Sequence, residues 1–206
     1  MNNNISIINY GMGNLHSVKR KIDKLKVNSV ITSDPKKIIE SDKIILVGVG
    51  HFKMAMKNLS QLNLIDPLNE AVLIKKIPVL GICLGMQLMA KKSEEGDVEG
   101  LGWIDADIKK IKVEDPIKFK VPHMGWNTVK ITKESKLMEG ISNSSEFYFV
   151  HSFFCRVNDT SLILNETTYS SPFTSAIEKN NIFGVQYHPE KSHETGNKVL
   201  LNFIKL

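Results

Sequence analysis

Hydrophobic runs in the first half of the chain alternate with segments whose apolar residues recur at helical spacing. The first run is followed by a turn-like segment, and apolar residues then recur three and four positions apart, as on one face of a helix. These helical positions are Leu15, Val18, Ile22 and Leu25. The apolar runs predict strands at residues 5–8, 29–32, 43–47 and 78–82, and the weaker periodic segments predict helices at 67–75 and 84–92. Buried strands that alternate with helices are typical of a parallel sheet with helices on both faces.

The pattern changes from about Ile104, because strand-like segments then follow one another with less helix between them. These segments are residues 104–113, 128–131, 147–154, 162–168 and 182–185. They predict an antiparallel extension of the same sheet, and residues 192–204 predict a last amphipathic helix. We find no repeat and no linker, so we expect one domain over residues 1–206, with an α/β fold that has a parallel core and an antiparallel extension.

The composition is that of a globular protein: 42% of the 206 residues are apolar and 24% are charged, which excludes a disordered chain. The 27 basic and 22 acidic side chains leave a net charge of +5. This excess is spread over short clusters, so we expect no nucleic-acid partner. The two cysteines, the absence of a leader-like start and the short apolar run at 77–90 favour a cytoplasmic protein without a membrane segment.

The strongest chemical signal is the segment 81–85, which reads Gly-Ile-Cys-Leu-Gly where a predicted strand meets a predicted helix. Small residues on both sides of Cys83 permit the sharp turn that lifts a nucleophile out of a sheet. A cysteine at a helix N-terminus with a histidine partner is available as thiolate. The alternative interpretation is a buried core cysteine without reactivity.

A nucleophilic cysteine needs a base, and His188 is the best-placed histidine, because the predicted strand before it delivers it to the strand's carboxyl end. Glu190 lies two positions further on, where a carboxylate could orient the imidazole, and Pro189 stiffens the path between them. Alone, this segment is more typical of a solvated loop than of a catalytic site. Together with Cys83, it predicts a Cys-His-Glu triad.

An acyl-transfer site also needs hydrogen-bond donors for an oxyanion. The backbone N–H of Leu84 is one candidate, and the Gly-Val-Gly loop ending at Gly50 is a second, although that loop could be an ordinary tight turn. Gln87 lies one helical turn after Cys83 and could bind an amino-acid-like substrate, or be a buried glutamine satisfied by backbone. The other histidines lack metal-ligand spacing, and Gly11-Met-Gly13 lacks the third glycine of a dinucleotide motif, so we expect no metal and no cofactor.

With these motifs the sequence resembles the class I (triad-type) glutamine amidotransferases, and among them the family of glutaminase subunits of imidazole glycerol phosphate synthase. The resemblance covers essentially the whole chain. It is carried by Tyr-Gly-Met-Gly-Asn-Leu at 10–15 with Ser17, Gly-Val-Gly at 48–50, Gly-Ile-Cys-Leu-Gly-Met-Gln at 81–87, Val-Pro-His-Met-Gly-Trp-Asn at 121–127, Tyr-Phe-Val-His-Ser at 148–152, Pro-Phe-Thr at 172–174, and Gly-Val-Gln-Tyr-His-Pro-Glu-Lys-Ser at 184–192. It implies a flavodoxin-like sheet in which Cys83 attacks the side-chain amide of L-glutamine, with His188 moving the proton and Glu190 orienting His188.

The resemblance also implies a heterodimer, in which the ammonia passes through a protected route to a (β/α)8-barrel cyclase subunit of histidine biosynthesis. The residues that match this interface and passage are Asn14, Met124, Trp126, Tyr148 and Lys191. The chain departs from the family at Val47, where proline is usual, which concerns how the oxyanion loop is held. Two alternatives are other enzymes: a paralogous glutaminase that supplies a sugar-modifying amidotransferase of surface-polysaccharide synthesis, and a cysteine hydrolase that works without a partner. A third is a catalytically inactive binding module that keeps the fold, against which the intact set of Cys83, His188 and Glu190 argues.

Overall fold

The computed structural model of the chain describes residues 4–206, which contain fourteen strands and six α-helices. The strands are β1 (Ile5–Ile8), β2 (Ser29–Thr32), β3 (Lys43–Gly48), β4 (Val79–Cys83), β5 (Lys92–Ser93), β6 (Val98–Glu99), β7 (Ala106–Lys110), β8 (His123–Thr128), β9 (Lys130–Ile131), β10 (Glu146–His151), β11 (Phe153–Val157), β12 (Ile163–Tyr169), β13 (Ser171–Lys179) and β14 (Ile182–Val185). The α-helices are α1 (Leu15–Lys24), α2 (Pro35–Ile39), α3 (Phe52–Gln61), α4 (Ile65–Asn69), α5 (Leu84–Leu88) and α6 (His193–Lys205).

One mixed sheet organises the fold. Its first half, in the order β2-β1-β3-β4-β14, is parallel throughout, and β13 and β11 continue it in antiparallel pairing toward β7. The predicted parallel core with an antiparallel extension is therefore confirmed. Because parallel strands end at the same edge, the ends of β3, β4 and β14 open onto one crevice, as in other doubly wound sheets.

Helices cover both faces of the parallel half. On one face, α3 and α5 pack on a core that includes Phe52, Leu59 and Met86. On the other face, α1 and α6 pack on a second core that includes Val18 and Phe203. Burying each of these large side chains contributes roughly 1.5–3 kcal/mol, so both layers stabilise the packing of the helices on the sheet. No helix within residues 4–206 is long and apolar enough to span a membrane.

Helix α5 is shorter than the predicted helix 84–92, because it ends at Leu88. The carbonyl groups of Leu88, Met89 and Ala90 accept hydrogen bonds from the amides of Leu101, Ile104 and Gly102. The chain after α5 is thus bound to a neighbouring loop, and residues 92–93 join the sheet as β5. The prediction of a helix beyond Leu88 was wrong, since tertiary hydrogen bonds replace the helical ones.

The predicted strand 147–154 was also wrong as a single element, because it is divided at Ser152. Strand β10 pairs with β8 in a separate two-stranded sheet, whereas β11 pairs with β7 and β13 in the main sheet. The predicted strand 128–131 is likewise shared between β8 and β9, and segment 67–75 continues from α4 into a π-helix, Glu70–Ile74. Helices α2 and α3 and strand β13 were not predicted.

Candidate active site

Cys83 is the last residue of β4 and precedes the first residue of α5, so it occupies a sharp strand-to-helix turn. Its backbone has a positive φ of 54° with ψ −111°, a conformation that L-residues rarely adopt and that costs of order 1–3 kcal/mol. The flanking glycines permit this turn. A Cβ on Gly85 would overlap the carbonyl oxygen of Leu46, and one on Gly81 would lie 2.6 Å from the amide nitrogen of Met86. The turn presents the Cys83 thiol at the carboxyl edge of the sheet.

His188 and Glu190 form a buried pair beyond the end of β14. The imidazole Nδ1 lies 2.8 Å from Glu190 Oε1, and each side chain is 1% exposed. The backbone amide of His188 donates to the carbonyl of Tyr148, which fixes the segment against β10. A carboxylate at Nδ1 holds the imidazole in one tautomer and leaves Nε2 for chemistry.

Three influences set the charge on His188: burial, Cys83 and Glu190. Burial disfavours the imidazolium, but hydrogen bonding and charge from Cys83 and Glu190 outweigh it and raise the pKa of His188 to about 10. Nε2 itself makes no well-aligned hydrogen bond within residues 4–206, yet it is close enough to Cys83 for their charges to interact. The arrangement therefore favours an imidazolium at His188, which places a positive charge beside the sulfur of Cys83.

A cavity of about 290 Å³ opens beside the Cys83 thiol. Gly50, Leu84 and Gln87 all line it, so the structure places the three predicted binding residues around the same cavity as Cys83. Val47 is fully buried and pairs with Ile82, so β3 runs unbroken to Gly48. A larger groove of about 1000 Å³ lies at the other end of the sheet and contains no triad residue, so the smaller cavity is the candidate substrate site.

The predicted interface residues lie on the surface near the triad. Trp126 and Tyr148 are directly opposite each other on β8 and β10, with ring centroids 5.9 Å apart, and Lys191 Nζ lies 5.4 Å from the Tyr148 ring centroid. Met124 is 62% and Trp126 45% exposed, which is unusual for such large apolar side chains. Asn14 is exposed at the start of α1, where its side chain accepts a hydrogen bond from the amide of Ser17.

Comparison with known proteins gives the family. The model of the class-I glutamine amidotransferases matches residues 6–206. The chain is a class-I glutamine amidotransferase. It is 51% identical to imidazole glycerol phosphate synthase subunit HisH 2 and 43% identical to subunit HisH 1, both of Methanococcus maripaludis, over 98% of this chain and at least 98% of each relative. A crystal structure of a glutamine amidotransferase has the same fold, with a TM-score of 0.76 at 13% identity, and the match covers 98% of this chain and 97% of that one.

This amidotransferase has a second cysteine, Cys155, which unlike Cys83 does not line the cavity. It is fully buried in β11, and burial together with the charge of Asp107 raises the pKa of its thiol to about 12. Cys155 is therefore a core residue. Within residues 4–206, no group of three or more histidine, cysteine or acidic side chains could hold a metal ion.

Sequence reasoning missed a set of buried polar residues around the triad of this amidotransferase. Gln186 is the first residue after β14 and lies two positions before His188. It is fully buried, and its side-chain amide donates to Cys83 Sγ at 3.6 Å. His123 and His151 form a buried pair with ring nitrogens 3.0 Å apart. Ser192 Oγ donates to the carbonyl of His188 and accepts from the amide of Tyr148. The only sequence signal for these residues was their place within the motifs, because their contacts are long-range.

The buried histidine pair predicts a loss of stability in acid. Burial lowers the pKa of His151 to about 3 and that of His123 to about 4, so both stay neutral in the folded chain. The unfolded chain takes up their protons below about pH 6.5, so the free energy of unfolding falls as the pH falls from 6.5 toward 3. For His151 the loss between pH 7 and pH 5 is roughly 2 kcal/mol.

Urea unfolding of wild type and His151→Gln at pH 7 and pH 5 measures this effect. We expect the decrease in unfolding free energy between the two pH values to be smaller by roughly 2 kcal/mol in the variant. The exposed His16→Gln substitution controls for the removal of a histidine as such. An equal decrease in wild type and His151→Gln would show that His151 does not stay neutral in the folded protein.

Proposed function

We propose that this chain is the glutaminase subunit of an imidazole glycerol phosphate synthase and supplies ammonia for histidine biosynthesis. The observation that carries the proposal is the buried Cys83-His188-Glu190 arrangement beside a small cavity. The near full-length similarity to subunits of that synthase supports the assignment of the partner enzyme. Both the site and the relatives therefore favour glutamine hydrolysis coupled to a second subunit.

In this mechanism the Cys83 thiolate attacks the side-chain carbonyl carbon of glutamine, and a C–S bond forms as the carbonyl oxygen becomes an oxyanion. The backbone N–H of Leu84 and the loop ending at Gly50 are the proposed donors to that oxygen. The imidazolium of His188 gives its Nε2 proton to the leaving amine, so the C–N bond breaks and ammonia is released. His188 then takes a proton from water, which hydrolyses the thioester to glutamate and restores the thiolate.

Glutamine-analogue electrophiles test the nucleophile directly. A diazo-ketone analogue of glutamine should alkylate Cys83 with a stoichiometry of one per chain, as measured by peptide mass spectrometry. Cys155 provides the internal control, because its buried thiol should stay unmodified. Labelling of Cys155 in place of Cys83, or no labelling at all, would contradict the proposed nucleophile.

Ammonia released into water at neutral pH becomes unreactive ammonium, so the product needs a sheltered route to its acceptor. The exposed surface formed by Met124, Trp126, Tyr148 and Lys191, which we call the docking surface, is the proposed seat of the cyclase subunit, a (β/α)8 barrel in the resembled enzymes. Its strands continue directly to the site, because Val150 of β10 lines the cavity next to Cys83. A subunit bound there would cover the route by which ammonia leaves.

Trp126→Ala should weaken association with the cyclase subunit by about tenfold or more, since large aromatic residues at interface centres contribute most to binding. Isothermal titration calorimetry or size-exclusion chromatography of the mixed subunits measures the change. Ile74→Ala is the matched control, because Ile74 is 75% exposed but precedes β4 at the opposite end of the sheet. Unchanged association in Trp126→Ala, with normal labelling of Cys83, would contradict the proposed docking surface.

A second candidate is the paralogous glutaminase that supplies a sugar-modifying amidotransferase. Methanococcus maripaludis has two numbered HisH relatives, and this chain is closer to HisH 2, at 51% identity, than to HisH 1, at 43%. The presence of two copies in one organism favours different roles for the two proteins. Val47, where proline is usual in the resembled family, is a second observation that favours this candidate. Stimulation of glutamate release by a sugar-modifying partner, and not by the cyclase, would establish this candidate.

A further inference from the structure

We infer that Gln186 is a further catalytic residue, whose side-chain N–H donates to Cys83 Sγ and stabilises the thiolate, and that Gln87 holds it in that orientation. Gln186 is fully buried directly after β14, and its amide nitrogen lies 3.6 Å from Sγ. The inference rests on the proposed function in so far as Cys83 is the nucleophile. It adds a donor that acts on the nucleophile before any substrate is bound.

The orientation of both glutamine side chains follows from one backbone carbonyl. The carbonyl oxygen of Phe153 can only accept, so the Gln87 atom 2.9 Å away must be the amide nitrogen. The same nitrogen lies 2.9 Å from the side chain of Gln186, and its second hydrogen therefore requires an acceptor there, the Gln186 oxygen. The Gln186 nitrogen is then the atom that faces Cys83 Sγ, 3.6 Å away.

The Phe153 carbonyl is itself held by a second donor of fixed direction. His151 Nδ1 lies 2.8 Å from it and must carry the hydrogen, so His151 Nε2 is an acceptor. His123 Nδ1, 3.0 Å away, is then the donor, and His123 Nε2 accepts from the amide of Asn127 at 3.3 Å. Each group in the series Asn127, His123 and His151 thus donates to the next, and the last hydrogen bond is donated to the Phe153 carbonyl. This pattern requires both histidines to be neutral.

Two chemical consequences follow for the site. A buried amide donor aimed at sulfur favours the charged thiolate over the thiol, because hydrogen bonds to charged acceptors are the stronger ones. Both hydrogens of the Gln87 amide are used by Phe153 and Gln186, so only its oxygen is left for the cavity that it lines. Gln87 can therefore accept a hydrogen bond from a substrate N–H but cannot donate one.

The rate of Cys83 alkylation by iodoacetamide, without glutamine or partner, isolates this effect from substrate binding. We expect Gln186→Met, which keeps the length of the side chain but removes the donor, to slow alkylation roughly tenfold. Gln87→Met should slow it about threefold, because Gln186 then loses its fixed orientation. The double variant should be no slower than Gln186→Met alone, since Gln87 acts only through Gln186. In turnover, Gln186→Met should lower kcat and leave KM close to that of wild type.

Additive effects in the double variant would overturn the orienting role of Gln87, and a rate within twofold of wild type in Gln186→Met would overturn the donor role of Gln186. If Gln186→Met does not fold, the side-chain amide signals of the wild-type chain in ¹⁵N NMR give the answer. The signal of Gln186 should shift on Cys83→Ala more than that of any asparagine or glutamine except Gln87, and an unmoved signal would contradict the inference. If alkylation of Cys83 slows in Gln186→Met as expected but the wild-type chain hydrolyses no glutamine, the inference about Gln186 stands and only the proposed function is refuted.

Discussion

Replacing Cys83 by alanine should lower glutamine hydrolysis roughly 10⁴-fold or more, the scale on which loss of a triad nucleophile acts. The reason is that no thioester can form, and Cys155 cannot substitute because it is fully buried and the pKa of its thiol is raised to about 12. In the complex with the cyclase, the variant should still support product formation from added ammonium salt. Glutamate release and product formation, measured in parallel, separate the two activities.

Cys155→Ala is the matched control, since it also removes a thiol but not the proposed nucleophile. It should retain glutamine hydrolysis close to the wild-type rate at a temperature where the chain is folded. Substantial glutamine-dependent activity in Cys83→Ala would contradict the assignment of the nucleophile. Loss of the ammonium-dependent activity as well would instead indicate that Cys83 is needed for the folded complex.

Gly85→Ala should destabilise the chain by about 3 kcal/mol or more and remove activity in the molecules that still fold. An added Cβ would overlap the carbonyl oxygen of Leu46 and lie 2.6 Å from its carbon. Both atoms belong to the backbone of β3, so neither can yield, and α5 would have to move away from the strand. That movement displaces the turn that holds Cys83. Urea unfolding gives the stability, and alkylation of Cys83 reports on the turn.

Gly102→Ala is the control for this substitution. Gly102 has a positive φ of 69° but open space where a Cβ would be, so alanine there incurs only the backbone strain, about 1–2 kcal/mol. The difference between the two variants measures the steric contact of α5 with β3. If Gly85→Ala were no less stable than Gly102→Ala, the close approach of the turn to Leu46 would be wrong.

The turn at Cys83 was predictable from the sequence because its causes are local. Glycines at 81 and 85 on either side of a cysteine, between an apolar run and a periodic segment, leave the space that a sharp strand-to-helix turn needs. The strands of the parallel half were predictable for the same reason, since β1, β2 and β14 begin and end where the apolar runs do. His188 and Glu190 followed from the end of one such strand.

The surroundings of the triad could not be predicted, because they depend on contacts between residues far apart in the chain. Gln87 and Gln186 are 99 positions apart, and His123 and His151 are 28 apart. The division of segment 147–154 at Ser152 likewise depends on which strand each half meets, β8 or β7. Periodicity reports which face of a strand is buried and contains no information about its partner.

The coupling of Cys83 to a second subunit is measured by glutamate release from glutamine. The assay uses this chain alone and mixed with the cyclase subunit of the same organism and that subunit's nucleotide ligand. We expect strong stimulation by partner and ligand together, with no release by Cys83→Ala under the same conditions. Glutamate release that is unaffected by the cyclase, or that persists in Cys83→Ala, would contradict it.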